Sequence, residues 1–439
     1  PINYIGDFHD GVNDTGWIVN PKKNLSLGTN VTITISQKPV QPRQEHRMFK
    51  SVLSLTLAAA LGTASFGQTT LTAVPGEAAS AKYASISQEI LRAIEKGNEY
   101  LKSKQNPEGY WAQPSYPALT ALAVTAYMRD PANQGKPVPE YIRKGYDFIL
   151  KSQKEDGSIF NRGMSSYNTA VCMMALLAAN KEEYAPAILK GRAYLIKQQN
   201  HFAPDNPYNG GIGYGDKQAP PIADLSNTSL ALEAIYYSQK LAKDGKYGEQ
   251  PDLDWNAATE FINRCQQNPA VNKETWDSNN KSQIGGFVYR PGVSSARDKK
   301  AAAFDKAEPP KAYGSMTYAG MQSLIYANVD KNDPRVKLAL KWLENSYSLD
   351  ENPGMGVQGL YYYYQAMSKA LSAMGIDTLT LENGRKVDWR DELANKLISI
   401  QKSDGSWVNT NNRWWEADPV LVTSYCVLAL EQLYHSIPR

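Results

Sequence analysis

Two hydrophobic patterns alternate along the chain from residue 86 onward. In the first, Ile90, Leu91, Ile94 and Leu101 fall three or four residues apart, the spacing of an amphipathic helix with one buried stripe. Ser85 and Gln88 stand where a capping box would start that helix. In the second, residues 117–128 (PALTALAVTAYM), 167–179 (YNTAVCMMALLAA), 226–237 (SNTSLALEAIYY) and 420–430 (VLVTSYCVLAL) are apolar on nearly every face, which predicts helices buried on all sides. Six alternations of a half-buried helix with a fully buried one predict an all-α fold. We expect an α6/α6 toroid (barrel) of six helical hairpins over residues 86–437, with the second helix of each hairpin inside. An open α-solenoid is the alternative reading of the same pattern.

The hairpins also repeat in detail. Gln105 is followed by Gly109 and Trp111, Gln153 by Gly157, Gln199 by Gly210, Gln266 by Gly285, and Gln401 by Gly405 and Trp407, while Tyr347 takes the Gln place in the fifth copy. A glutamine at a helix end can satisfy backbone groups of the neighbouring hairpin, so these residues read as structural staples. The Gln-then-Gly-x-Trp copies resemble the QW repeats of the squalene-hopene and oxidosqualene cyclases, and more loosely the protein prenyltransferase β subunits. The first copy matches the cyclase consensus at every defined position. Residues 313–327, 352–364 and 407–425 are similar to blocks of exported bacterial proteins described as prenyltransferase/squalene-oxidase repeat proteins. The resemblance implies a toroid and an isoprenoid-like or other apolar ligand with an anionic head.

That resemblance does not carry the chemistry with it. The cyclases protonate an alkene with the middle acid of an Asp-x-Asp-Asp-Thr motif, and the corresponding stretch here is Asp224-Leu225-Ser226-Asn227-Thr228. A serine hydroxyl at the acid's position is too weak an acid for that step. The zinc site of the prenyltransferases needs a histidine where Asp418 to Thr423 has Val422, so no metal and no cofactor are expected.

Upstream, a Met48-Phe49-Lys50 start, an apolar run to Ala64 and small residues to Gly67 fit a signal peptide at residues 48–67, which points to export. Residues 1–47 read as a non-native or disordered leader and residues 68–85 as a linker. The run is too short for a comfortable membrane span, which leaves only membrane-surface contact open. The 47 basic and 44 acidic residues nearly cancel, so nucleic acid is not an expected partner. The cysteines 172, 265 and 426 are odd in number and far apart, and read as core residues. Tyrosine, with 27 copies against 9 phenylalanines, suggests rings that need a polar partner.

In a toroid the inner helices run parallel, so their positive N-terminal ends meet on one rim. Loops feeding that rim carry Arg162, Lys217, Arg290, Lys311 and Arg413, alongside Asp216, Asp298, Asp305, Glu308 and Glu416. Asp418, Glu416 and Asp224 are the candidate catalytic carboxylates. Asp224 and Asp418 also read as N-caps, with Pro419 at the first helical position. Arg162, Arg290, Arg413, Trp414, Trp415, Tyr167, Tyr318, Tyr362 and Asn227 are the candidate ligand-binding residues. Three functions fit: an isoprenoid binder or enzyme, a non-catalytic module binding protein or glycan, and a polysaccharide lyase or hydrolase. Cavity shape separates them, because a lipid needs a deep apolar chamber, a hydrolase needs paired carboxylates in an open groove, and a module leaves the barrel filled.

Overall fold

The computed structural model describes residues 75–215, 222–273, 280–296 and 310–437, with side chains from residue 83. The expected leader, signal peptide and first part of the linker lie outside these residues, as do Asp216, Lys217, Asp298, Asp305 and Glu308.

Thirteen helices are described: α1 (Pro75–Ser103), α2 (Pro117–Arg129), α3 (Glu140–Lys151), α4 (Ser165–Ala178), α5 (Ala185–Lys197), α6 (Leu225–Tyr237), α7 (Gln239–Lys243), α8 (Trp255–Cys265), α9 (Gly314–Tyr326), α10 (Pro334–Asn345), α11 (Leu360–Met374), α12 (Trp389–Ser399) and α13 (Pro419–Ser436). A two-residue hairpin pairs Leu379 with Val387. The inner ring is α2, α4, α6, α9, α11 and α13, each packed on the next, and α13 returns to α2. The ring therefore closes, which excludes the open solenoid. The remaining long helices (α1, α3, α5, α8, α10 and α12) form the outer ring, and α7 is a short addition after α6.

The first helix begins earlier than expected. Residues 75–85, read as linker, are already helical, because the stretch is rich in alanine and starts on a proline that suits a first turn. Ser85 is accordingly mid-helix, and its hydroxyl donates to Glu89 one turn on instead of capping. Tyr83 is buried and donates to the Asp388 carboxylate at 2.6 Å, tying this early turn to the start of α12.

The glutamines hold the hairpins together as their position suggests. Each Nε2 donates twice: to the carbonyl of the glycine that follows, and to a carbonyl of the next outer helix or its cap. The second acceptors are Tyr141 for Gln105 (2.7 Å), Ala187 for Gln153 (2.9 Å), Asp254 for Gln199 (2.8 Å) and Arg335 for Gln266 (2.8 Å). Gln401 donates to Ala93 in α1 at 3.0 Å, closing the outer ring. Tyr347 reaches the next outer helix differently, through its hydroxyl to Glu392. Gly157 shows why glycine is required at the turn: φ is +89°, and a Cβ would run into the Lys190 carbonyl.

A threonine in the first turn of five inner helices completes the joint. Thr120, Thr169, Thr228, Thr317 and Thr423 accept from the backbone N–H of Trp111, Ile159, Ile212, Phe287 and Trp407, respectively. Thr228 of the Asp224–Thr228 stretch is thus a structural residue. The three cysteines are free and buried. Among the described residues no helix is long and apolar enough to cross a membrane, and no cluster of His, Cys, Asp or Glu is placed to hold a metal ion.

Candidate functional site

The barrel axis is narrow. All six inner helices line a cavity of about 80 Å³. Towards the helix N-termini its wall is Tyr167, Tyr362 and Tyr425, with the Tyr362 and Tyr425 rings 6.0 Å apart. Burial pushes the Tyr167 hydroxyl up to about 12 and raises that of Tyr425 well above its ordinary value, so these rings are neutral at any physiological pH. Towards the C-termini the wall turns polar: Lys369 of α11 and Glu233 of α6 form an ion pair across the axis, beside Arg129 of α2. Arg129 donates to Gln432 at 2.8 Å and stands 4.0 Å from Glu431. Glu431 is fully buried with neither oxygen hydrogen-bonded, and desolvation raises its pKa strongly.

The opposite rim collects the inner-helix N-termini, and their amides are already occupied. Ala118 of α2 donates to the Asn168 side chain of α4 at 3.0 Å. Ser166 of α4 donates to the Tyr214 carbonyl, and Leu225 of α6 to the Tyr289 carbonyl. Ser315 of α9 donates to the Asn352 side chain at 2.9 Å, and Tyr362 of α11 to Glu416 at 2.9 Å. Each helix start is capped from the following hairpin, and the relay ends at α13, which is capped by its own Asp418. A rim whose amides are satisfied this way offers an anion little of the attraction that bare helix N-termini supply.

Helix capping accounts for two of the three candidate carboxylates, Glu416 within the relay and Asp224 on its own helix. Glu416 is 1% exposed; besides Tyr362 it accepts from the Asn409 side chain at 2.7 Å and from the Leu360 and Tyr361 amides. Burial raises its pKa, while these donors oppose the rise. Asp224 is 2% exposed and caps α6, accepting from the backbone and side chain of Asn227 (2.8 Å each) and from the Tyr289 hydroxyl. Desolvation lifts it to about 6. Ser226, at the cyclase acid's position, is hydrogen-bonded to Tyr362. Only Asp418 opens on solvent: its Oδ1 caps Val420 (2.8 Å) and Leu421 (3.4 Å), and its Oδ2 has no protein donor.

The candidate cations do not converge. Arg162 is exposed on the loop before α4. Arg290 is half-buried beside Asp224. Arg413 donates to Gln358 at 2.6 Å and lies 4.6 Å over the Trp414 ring. Tyr167 and Tyr362 do line the axis, whereas Tyr318 is buried against Tyr363, with ring centres 5.6 Å apart, away from it. Tyr361, Tyr363 and Tyr364 pack between helices and donate to the carbonyls of Val408, Ser348 and Leu349.

Trp414 and Trp415 are the most distinctive of the candidate residues. They are 46% and 42% exposed, and both adopt left-handed backbone, with φ of +55° and +63°. Such a conformation costs a bulky residue about 1–2 kcal/mol. The Trp414 ring lies against Gly359, the αL cap of α11. Trp415 contacts the Tyr116 ring at 4.7 Å and walls a pocket of about 260 Å³ at the seam where α13 meets α2. Leu119 and Leu421 contribute its apolar wall, and Gln113, Asn412 and Asp418 its polar side. Tyr214 and Val357, the other large exposed hydrophobics, lie in loops of the same rim.

Glu233, Lys369, Glu431 and Gln113 were not legible as site residues. A charge inside an otherwise apolar helix was the available signal for the first three, while nothing in the sequence marks Gln113.

No family model matches the chain. Among solved structures it is similar to the type II terpene cyclase MstE from Scytonema in its apo form (TM-score 0.47, 10% identity, covering 80% of this chain and 99% of that one). A Candida albicans protein geranylgeranyltransferase-I complexed with GGPP gives a TM-score of 0.49 at 14% identity, covering 78% and 91%. A protein from Actinoplanes gives 0.43 at 12%, covering 80% and 100%. At these identities and scores the likeness carries no ligand or residue role over to this chain.

Proposed function

We propose that the chain is an exported, non-catalytic α/α-toroid module that binds a neutral polar ligand on the rim where its inner helices begin. The observation that carries this reading is the contrast in surface: the axis is walled by tyrosines and crossed by an ion pair, whereas the rim presents an exposed indole, Trp415, beside a pocket with polar lining residues. The isoprenoid-like ligand implied by the family resemblance would need a long apolar chamber, whereas this axis is narrow and crossed by the Lys369–Glu233 pair. A hydrolase would need two working carboxylates, and Asp224 and Glu416 are buried caps. Export rests on the residues 48–67 segment.

Screening the full chain against arrayed glycans and peptides tests the proposal, with hits re-measured on Trp415→Ala at the rim and Leu428→Phe in the barrel. Binding lost in Trp415→Ala and kept in Leu428→Phe is expected. The reverse pattern would place the ligand in the barrel and overturn the reading.

A further inference from the structure

We infer that the pocket between Trp415, Gln113, Asn412 and Asp418 is a subsite for one neutral pyranose ring, a specification that rests on the rim reading above. Three features of the pocket select that chemistry. Its apolar wall is one indole, 42% exposed, backed by Leu119 and Leu421; the C–H face of a sugar ring stacks on such a surface. Its polar side carries two carboxamides and a carboxylate. Among the described residues the Gln113 and Asn412 side chains make no hydrogen bond, and Asp418 spends Oδ1 on the α13 amides and keeps Oδ2. Carboxamides both donate and accept and a carboxylate accepts, so the set matches vicinal hydroxyls, which do both.

The described lining contains no lysine, arginine or histidine, which disfavours a phosphate, sulfate or uronate. A quaternary ammonium would want rings standing on several sides of it. Here the one ring against Trp415 is Tyr116, 4.7 Å away and tilted by 47°, and no second aromatic residue is among the described lining. The strained backbone at Trp414 and Trp415 fits the same picture, because the fold sustains its cost while both indoles stay exposed. A volume of about 260 Å³ leaves room for a sugar ring, and the pocket opens onto the rim.

Saturation-transfer NMR on the full chain, with the methyl glycosides of glucose, galactose and mannose as probes and tetramethylammonium and methyl phosphate as controls, tests this. Transfer to at least one glycoside is expected, strongest at its ring C–H protons. Trp415→Ala should weaken it about tenfold or more, and Gln113→Ala about three- to tenfold, the worth of one hydrogen bond. Asp418→Asn keeps a competent helix cap and should also weaken binding with the melting temperature unchanged. Absence of transfer to every glycoside, transfer unaltered in Gln113→Ala and Trp415→Ala, or a response to tetramethylammonium or methyl phosphate alone would overturn the assignment. If the pyranosides fail while an arrayed peptide still depends on Trp415, the sugar assignment falls and the rim reading survives.

Discussion

At the scale of single residues, a carboxylate's neighbours decide what it does. Asp224, Glu416 and Asp418 look alike in the sequence as acids near helix starts, yet two are sealed under the rim and one faces solvent. Glu416 could not be read as a cap from the sequence, because the amide it holds lies 54 residues away, in α11. Removing it should uncap that helix: Glu416→Ala is expected to cost about 2–4 kcal/mol in denaturant unfolding while leaving ligand binding at the Trp415 pocket in place. Asp224 carries a pH signature. Its pKa is raised to about 6 in the folded protein against an ordinary value near 3.8, so the native state holds the proton more tightly than the unfolded chain. Its contribution to stability therefore falls as pH rises from about 4 to about 6, by about 3 kcal/mol in all. The difference in unfolding free energy between wild type and Asp224→Asn should shift in the variant's favour across that window; a difference independent of pH would contradict the assignment.

At the scale of elements, the joints between hairpins were largely legible, because each glutamine, glycine and aromatic recurs at a fixed place after an outer helix. The double donation by each glutamine follows from its place at the helix end, and Gln105→Ala should cost about 1–3 kcal/mol. The capping relay was not legible, since the acceptors for α2, α4, α6, α9 and α11 come from the next hairpin, in α6 alongside its own Asp224, and are set only when the hairpins stack. The start of α1 at Pro75 is hidden in the sequence for a related reason. Alanine-rich residues 75–85 look like a linker, but Tyr83 gains a buried bond to Asp388, 305 residues away. Across the axis, Glu233 and Lys369 each hold the other's charge in a largely buried setting. Lys369→Met alone should destabilise by about 3 kcal/mol by leaving Glu233 unpaired, and adding Glu233→Gln should restore most of that. Thermal or denaturant unfolding of the three variants reads the cycle.

At the scale of the whole molecule, the apolar periodicity foretold the closed double ring, because a helix apolar on every face has no place except inside. It could not foretell how full the ring would be. The axial volume depends on side chains converging from six helices, and here tyrosines at one end and an ion pair at the other leave little room. The pocket at the α13–α2 seam exists only because the ring closes there, and no local pattern announces it. The central claim is that the working surface is the rim and the barrel holds no lipid. Organic extraction of the purified full chain with quantitative mass spectrometry tests it most directly: far less than one isoprenoid per chain is the expected result, and a stoichiometric isoprenoid that survives in Trp415→Ala but is lost in Leu428→Phe would contradict it.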